Sequence, residues 1–398
     1  MTMTDKIASD VSSAPPRPPV VLTEEALRIH RQALVFDGHN DLPWKVRTKG
    51  HSSFETLDLA VEQPELHTDI ARLKTGGLGA QFWSAFVPVS TIHEGGATRH
   101  ALEQIDLIHR MAQRYPDTFE MAFTADDVLR IHASGKIASL IGIEGGHTIE
   151  NSLGVLRMFH ALGVRYMTLT HVESIDWADA STDESRHGGL TEFGEEVIRE
   201  MNRLGMLVDL SHVSDGTAGD VLRVSRAPVI ASHSSAYALA AHPRNLSDEL
   251  LRGIRDNNGV VMVNFYSGFV EPEAAQVMQH MFKTLKGLRS ANPDERDFEE
   301  AVSLWRRDHP MPSGSIHMVV DHIDHVVKVA GIDHVGLGSD YDGVTTLPDQ
   351  LEDVSTYPYI TQELLNRGYA KADIHKILGS NALRALRDAE GIAKQLND

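Results

Sequence analysis

The sequence predicts a single (β/α)8 barrel, a TIM barrel of the α/β class, and three observations support this fold. Eight short, apolar runs rich in β-branched residues alternate with longer amphipathic or charged stretches, as βα units do. The chain has 398 residues, more than the roughly 250 that such a barrel needs. The alternative, a doubly wound open sheet, is disfavoured because no G-x-G-x-x-G sequence joins a strand to a helix and no Walker A sequence is present.

Each of the eight runs has the composition of a buried strand. The predicted strands are 34–38, 79–87, 138–143, 164–170, 206–210, 228–231, 259–264 and 334–338. The helical segments between them include 99–114, 192–204, 214–224 and 247–256, and several begin at a Ser, Thr or Asp in the capping position. Two further helical pieces, 369–378 and 381–389, follow the last strand.

Residues 22–398 are expected to form one domain, and residues 1–21 a flexible leader that carries four prolines and no apolar signal segment. The surplus length lies mainly at 266–315, between the seventh and eighth predicted strands. Its charged sequence predicts a helical insertion that serves either as a lid or as a subunit contact. No run is long and apolar enough to span a bilayer, so we expect a cytoplasmic protein without a membrane partner.

The composition excludes several classes of function. With 37 Lys+Arg against 56 Asp+Glu, the formal charge of −19 repels phosphate backbones, so nucleic acid is not an expected partner. The chain has 22 histidines and no cysteine, which excludes disulfides, thiolate metal sites and a cysteine nucleophile. Any metal ion must therefore be held by His, Asp and Glu. No G-x-S-x-G sequence supports a serine hydrolase.

Side chains able to bind metal follow six of the eight predicted strands, at the C-terminal ends where the active sites of such barrels lie. His39 and Asp41 are two residues apart, so both can point to the same side of an extended segment. The other strand ends carry Glu144 with His147, His171, Asp209 with His212, His233, and Asp340 with Asp342. Imidazole and carboxylate donors favour a divalent transition metal, above all zinc.

The number of candidate ligands predicts two metal ions. Five side chains are too many for one catalytic zinc with three protein ligands and an open position. The five are His39, Asp41, Glu144, His212 and His233. If Glu144 bridges two ions, one site takes the first three residues and the other takes the last three. Two ions roughly 3.5–4 Å apart activate a shared water, which is hydrolytic chemistry.

Eight motifs, in order along most of the chain, resemble the membrane (renal) dipeptidase family of binuclear zinc peptidases in the amidohydrolase superfamily. They are GHNDLPW (38–44), GIEGGH (142–147), LTH (169–171), WAD (177–179), DLSHVS (209–214), SHSS (232–235), RN (244–245) and GSDYDG (338–343). The resemblance implies a (β/α)8 barrel, two zinc ions bridged by Glu144, and hydrolysis of dipeptides with tolerance of a C-terminal D-residue. Mammalian members are secreted, disulfide-linked and lipid-anchored, so only the catalytic core carries over to this cysteine-free chain.

The resemblance and the residues together suggest a mechanism. Hydroxide bridging the two zinc ions would attack the scissile carbonyl, and Asp340 would pass the proton to the leaving amine. His171 would hydrogen-bond the developing oxyanion. Arg244 would bind the free carboxylate of the substrate through its planar guanidinium, which restricts the enzyme to short peptides. Asp342 is expected only to stabilise the turn before Gly343.

Two other functions remain open at this level. The first is an amide or ester hydrolase on the same binuclear barrel, acting on N-acyl amino acids or lactones. The second is a metal-stabilised barrel that binds a peptide or partner without turnover, although Asp340 argues against it because binding needs no proton shuttle. The sequence leaves the oligomeric state open, including a homodimer. His317, His322 and His325 are expected on an exposed helix face.

Overall fold

The computed structural model describes residues 17–292 and 295–398, which form a parallel barrel surrounded by helices. Its strands are β1 (Val35–Asn40), β2 (Leu78–Phe86), β3 (Phe119–Met121), β4 (Ile137–Glu144), β5 (Val164–Thr168), β6 (Leu207–Asp209), β7 (Ile230–Ala231), β8 (Val260–Val263) and β9 (Val335–Leu337). The sheet order is β2-β1-β9-β8-β7-β6-β5-β4-β3, and a pairing of β2 with β4 closes it. Eight parallel strands thus make the closed barrel, and the predicted (β/α)8 fold is confirmed.

All eight predicted runs are strands of the barrel, whereas β3 was not predicted. It has only three residues and pairs with the first three residues of β4, Ile137 to Ser139. Farther along, from Ile141 onward, β4 pairs with β5 instead. Because so short a segment carries no readable alternation, its strand character comes from the exposed edge of β4 and not from its own sequence.

Helices connect the strands in the order that βα units require. They are α1 (Glu24–Arg31), α2 (Leu42–Thr48), α3 (Ile70–Thr75), α4 (Thr91–Glu94), α5 (Ala97–Arg114), α6 (Ala125–Ala133), α7 (Leu153–Ala161), α8 (Glu192–Leu204), α9 (Asp215–Val224), α10 (Asp248–Asp256), α11 (Ser267–Val270), α12 (Pro272–Ala291), α13 (Glu295–Asp308), α14 (Ile316–Ala330), α15 (Tyr357–Asn366), α16 (Lys371–His375) and α17 (Asn381–Asn397). Short 3-10 or π turns lie at Gly146–Ile149, Ile332–His334, Val354–Thr356 and Lys376–Ser380. Ser214 and Ser247 cap α9 and α10 by accepting a hydrogen bond from the backbone three residues on, as predicted.

Alternate residues of the strands divide between two apolar clusters. On one face, Phe36, Phe82 and Tyr166 pack ring against ring, with ring centroids 5.4 and 4.7 Å apart, and fill the barrel interior. On the other face, residues such as Ile141 and Val261 pack beneath the surrounding helices. The interior is therefore a packed core, and the strands can hold their C-terminal ends in fixed positions.

Helix α17 covers the end of the barrel where the strands begin. Leu383, Leu386 and Ala389 belong to the same cluster as the interior residues. The turn before α17 lies so close to β1 that a Cβ at Gly379 would be 2.2 Å from the carbonyl oxygen of Leu34. The barrel is closed at this end, which leaves the opposite end, here called the mouth, for ligands.

The predicted insertion between the last two barrel strands consists of α11, α12 and α13. Its first helix is tied to the loop after β9, since the Ser267 amide donates to the Thr346 carbonyl at 3.1 Å. The Ser267 hydroxyl donates to the Ser313 carbonyl at 2.6 Å. In the described part of the chain, no helix is long and apolar enough to cross a membrane.

The end of the predicted leader contacts the barrel. Arg17 forms an ion pair with Asp321. Val20 is buried, and its backbone exchanges two hydrogen bonds of 2.7 and 2.8 Å with the side chain of Gln350. Residues 1–16, the remainder of the predicted leader, lie outside the described residues.

The expectation of an exposed histidine face on α14 is wrong. His322 is 1% exposed and bonds the Val270 carbonyl at 3.1 Å. His317 is buried against Glu363 at 2.9 Å, and His325 is half-buried. The pattern failed because the insertion and α15 cover this side of α14. Each of these rings has a protein partner, so none offers a third metal site.

Asp37 joins β1 to its neighbours just below the mouth. Its side chain is fully buried and accepts hydrogen bonds from four groups. They are the His39 amide (2.8 Å), the Gln81 side chain (3.1 Å), the Ser339 amide (3.1 Å) and the Tyr357 hydroxyl (2.5 Å). One carboxylate thus connects β1, β2, α15 and the segment after β9, and holds the backbone of His39 in place.

We predict that Asp37→Ala will destabilise the protein, because it removes a buried acceptor that four donors share, two of them backbone amides. The expected loss is about 3 kcal/mol of unfolding free energy, measured by denaturant unfolding of the metal-free protein. Asp106→Ala on α5, where the side chain is 64% exposed, is the matched control and should change stability little. Equal effects of the two variants would contradict this role of Asp37.

Candidate active site

The structure brings the predicted site residues together at the mouth. His39 lies in β1, and Asp41 is the first residue after this strand. Glu144 is the last residue of β4. The loops after β5, β6, β7 and β9 supply His171, His212, His233 with Arg244, and Asp340. All are buried except His171, whose side chain is 19% exposed.

Glu144 lies at the centre of this cluster, and its two carboxylate oxygens face different groups of donors. Oε2 is 3.6 Å from His39 Nε2, which is 3.2 Å from Asp41 Oδ2. Oε1 is 3.1 Å from His212 Nε2 and 3.5 Å from His233 Nε2. The two histidine nitrogens on that side are 3.0 Å apart. One carboxylate therefore stands between the two ligand groups that the sequence predicts.

These spacings fit donors that share a metal ion. Tetrahedral ligands bound to zinc at about 2.0–2.1 Å lie about 3.3 Å from one another. His39 Nε2 is fully buried and makes no well-oriented hydrogen bond within the described residues, although buried ring nitrogens normally have a partner. The donor set of imidazole nitrogens and carboxylate oxygens also suits divalent transition metals. The residues present thus fit a binuclear site.

The same atoms form three compact groups able to hold an ion, with all donors of a group within 4.8 Å of one another. The groups are His39, Glu144 and His233; Glu144, His171 and His212; and His39, Asp41 and Asp340. Glu144 belongs to two of them. His171 and Asp340, which were predicted to act on substrate, thus lie at the distance of ligands. The assignment of each side chain to an ion stays a prediction.

Hydrogen bonds behind the histidines set their orientation. His39 Nδ1 lies 2.8 Å from the Tyr166 hydroxyl. His233 Nδ1 lies 2.8 Å from the Ser232 hydroxyl, which donates to Asp209 at 2.6 Å. Because that hydroxyl hydrogen is used by Asp209, His233 must donate its Nδ1 hydrogen, and the lone pair of Nε2 points into the cluster.

Burial keeps two of these histidines neutral. It lowers the pKa of His212 well below the ordinary value, and the positive charge of Arg244 lowers it further. Burial also lowers the pKa of His233, with help from His39 and Arg244. Neutral imidazole is the form that binds metal, so these two residues are ready as ligands at physiological pH.

Asp340 is held in an unusual environment for a carboxyl group. Burial, reinforced by the nearby charges of Asp41 and Glu144, raises the pKa of Asp340 to about 7. Its Oδ2 accepts a 2.9 Å hydrogen bond from the Asn264 side chain. A Cβ at Gly343 would lie 2.4 Å from Asp340 Oδ1 and 2.2 Å from Asp41 Oδ2, so a larger residue there would displace both carboxylates. A carboxyl group poised near neutrality can give and take a proton.

Arg244 is a buried cation beside this cluster. Its Nη atoms donate to the Ser234 hydroxyl at 3.2 Å and the His233 carbonyl at 3.1 Å. Within the described residues, its Nε has no hydrogen-bond partner. Burial lowers the pKa of Arg244 to about 10, which still leaves it charged at pH 7. The charge and the unpaired donor suit an anionic group of a ligand.

A cavity of about 330 Å³ opens over the cluster. Its floor is formed by Asp41, Glu144, His171, His212, His233 and Asp340. Its walls carry Trp44, Lys45, Phe86 and Tyr266, and the helices of the insertion add Met278, Met281, Phe282 and Arg306. The insertion thus forms part of the pocket; the sequence left its role open between a lid and a subunit contact. The volume suits a small molecule.

Several residues of the site were not found from the sequence. Tyr166 lies in a predicted strand, but the pattern shows only an apolar ring and not its contact with His39. Asn264 ends a predicted strand, as the metal-capable residues do, but its amide is not one of the His, Asp and Glu groups that typically bind such metals. Met281 and Arg306 lie on helices whose position over the mouth no local pattern indicates.

The fold and the site define a class of protein: a (β/α)8 barrel with a metal-binding mouth, as in metal-dependent hydrolases. Comparison with known proteins narrows this class. Residues 23–398 match the family described as membrane dipeptidase, peptidase family M19. The chain therefore belongs to the membrane dipeptidase family, and it is a metallopeptidase of the dipeptidase type. The resemblance seen in the sequence is confirmed.

Solved structures agree with this assignment. The chain is 27% identical to the probable dipeptidase PvdM from Pseudomonas aeruginosa, with a TM-score of 0.80 over 92% of this chain and 98% of that one. It is 26% identical to dipeptidase AC, a metallopeptidase of family M19, with a TM-score of 0.75 over 90% and 99%. It is also 26% identical to a metallopeptidase from Rhodobacter sphaeroides liganded with a phosphinate mimic of L-Ala-D-Ala, with a TM-score of 0.73 over 90% and 99%.

We predict that zinc will raise the thermal midpoint of the metal-free protein and that Glu144→Gln will remove most of this shift. A ligand at 1,000 times its Kd stabilises the folded state by about 4 kcal/mol, or about 5 °C for a chain of this size. Calorimetric titration should give two equivalents for the native protein. Glu196→Gln, at an exposed position on α8, is the control. A full shift in Glu144→Gln would exclude a central role for this carboxylate.

Proposed function

We propose that this protein hydrolyses dipeptides that have a free C-terminal carboxylate, with two zinc ions per subunit bridged by Glu144. We also propose that it tolerates a D-residue at the C-terminal position. The observation that carries the metal part is the position of Glu144, whose Oε2 faces His39 while its Oε1 faces His212 and His233. When bound, the ions would supply an activated water and would polarise the scissile carbonyl.

The relative bound to a mimic of L-Ala-D-Ala supports the choice of substrate. A phosphinate is tetrahedral at phosphorus and therefore resembles the carbon of a peptide bond after attack by water. Our proposal extends that substrate class to this chain, whose cavity has the volume of a small ligand.

The residues of the chain divide the remaining work. Arg244 is proposed to bind the C-terminal carboxylate, with its unpaired Nε as one donor. His171 lines the cavity, with its Nε2 3.8 Å from Glu144. Its ring is proposed to donate to the oxygen that becomes negative during attack. Asp340 has its Oδ2 held by Asn264, so its Oδ1 would take the proton of the attacking water and deliver it to the leaving amine.

We predict that the purified protein will cleave L-L and L-D dipeptides, and that chelation will abolish cleavage until zinc is restored. The assay follows release of free amino acids from L-Ala-L-Ala and L-Ala-D-Ala. N-acetylalanine and a lactone are tested as substrates of the alternative hydrolase activity. Turnover that survives exhaustive chelation would contradict a metal-dependent mechanism. Turnover of the acylated amino acid or the lactone alone would assign the other hydrolase activity.

In the same assay, Asp340→Asn tests whether the protein is an enzyme or a barrel that binds peptides without cleaving them. Loss of the proton acceptor should lower kcat by about 10²–10⁴-fold, while substrate binding persists. Asp256→Asn on α10, 69% exposed, is the matched control. If the native protein binds dipeptides without cleaving them, the non-catalytic reading replaces this proposal.

We predict that Arg244→Lys will raise KM more than it lowers kcat, since the charge remains but the planar fork is lost. The expected fall in kcat/KM for L-Ala-D-Ala is roughly 10–100-fold. The dipeptide amide lacks the carboxylate, so the native enzyme and the variant should cleave it at similar, low rates. Arg223→Lys, 58% exposed on α9, is the control. An equal loss on dipeptide and amide would argue against carboxylate recognition by Arg244.

A further inference from the structure

The helical insertion supplies an apolar surface that is separate from the main core. Tyr266, Phe269 and Met278 form a small buried cluster of their own. Partly buried residues pack against it, and they include Met281, Phe282 and Val344. We call these six side chains the insertion wall, although Val344 comes from the loop after β9. All of them line the cavity above the candidate metal ligands, so the wall turns one apolar side toward a bound ligand.

Contacts on both sides hold the insertion wall in position. The Gln279 side chain on α12 donates to the Ala241 carbonyl, just before the segment that carries Arg244. Asn245 donates to the Phe269 carbonyl at 2.7 Å. The Tyr266 hydroxyl donates a hydrogen bond to the sulfur of Met278 at 3.0 Å, so this polar group already has a partner within the wall. The wall is therefore a fixed, apolar feature of the cavity.

The insertion wall begins next to Arg244. The guanidinium carbon of Arg244 lies 5.2 Å from the ring centre of Phe269. His242 joins the two, because its ring packs 4.8 Å from Phe269 and 5.8 Å from Phe282, while its Nδ1 accepts a 3.1 Å hydrogen bond from the Arg244 amide. A ligand carboxylate at Arg244 thus places the neighbouring atoms of the ligand against aromatic rings.

We propose that the insertion wall is the subsite for the side chain of the C-terminal residue and that it selects bulky apolar residues such as Leu and Phe. This inference rests on the proposed dipeptidase function. In the C-terminal residue of a dipeptide, the carboxylate and the side chain are attached to the same Cα. A carboxylate bound by Arg244 therefore brings the side chain of the C-terminal residue, and not that of the N-terminal residue, to the wall. Burial of apolar side chains against Met281 and Phe282 then favours large substrates.

The cavity lining also carries two cations, Lys45 on α2 and Arg306 on α13 of the insertion. Two cations disfavour a basic side chain in this cavity, which agrees with the selection of apolar residues. An acidic side chain is the competing possibility, because it could pair with them. A substrate with C-terminal Asp distinguishes the two.

The test measures kcat/KM of the zinc-loaded enzyme for L-Ala-X, in both the L and D series, with X as Ala, Leu, Phe, Asp or Lys. We expect Leu and Phe to exceed Ala by about tenfold or more. A second series, X-Ala, varies the N-terminal residue and should show a weaker preference. Met281→Gln places a polar group in the wall and should reduce the ratio of Leu to Ala in the first series.

Met158→Gln is the matched control, since Met158 is 59% exposed on α7 and does not line the cavity. It should leave the Leu to Ala ratio unchanged. Equal rates for Ala and Leu in the native enzyme, or a preference for Asp, would overturn the inference while leaving the dipeptidase function intact. Absence of cleavage for every dipeptide in both series would instead refute the proposed function itself. The substrate preferences of the native enzyme test the inference even if Met281→Gln does not fold.

Discussion

The mouth of the barrel is organised around one buried carboxylate whose two oxygens are shared between different partners. A carboxylate at the depth of Glu144 has lost its hydration, so its neighbours must compensate for it. Glu144 ends β4, the strand whose pairing with β2 closes the barrel. Closure of the sheet therefore fixes this side chain relative to His39 on one side and to His212 and His233 on the other. Neighbouring ligand atoms in this cluster lie 3.0–3.6 Å apart.

Not every buried acid in this region has the same role, and hydrogen bonding distinguishes them. Asp37 and Asp209 are fully buried, but backbone amides and hydroxyl groups of neighbouring segments satisfy their oxygens. Such residues hold strand ends in register. Asp41, Glu144 and Asp340 instead line the cavity, where they lie among the candidate metal ligands. Burial, together with the charges of the two other carboxylates, raises the pKa of Asp340 to about 7. The acids whose oxygens are bonded to the frame on both sides have a structural role, and the acids that line the cavity are available for chemistry.

Much of the fold could be read from the chain because its signals are local. The alternation of apolar runs with amphipathic segments predicted all eight barrel strands, and Ser214 and Ser247 marked two helix starts. The rule that ligands follow the C-terminal ends of strands brought out His39, Glu144 and His233 together. Strand β3 was missed, since three residues paired to the edge of β4 carry no pattern of their own. The histidines of α14 were misplaced, because their burial depends on helices distant in sequence.

The sequence by itself determined the barrel, its family and the set of candidate ligands, because strand periodicity and residue chemistry are properties of short segments. Only the tertiary structure decided that the two oxygens of Glu144 face separate groups, that Tyr166 and Asn264 support the site, and that α12 and α13 line the cavity. These relations join residues tens to hundreds of positions apart. They are set by how the sheet closes and how helices pack on it, and such packing leaves no periodic trace along the chain.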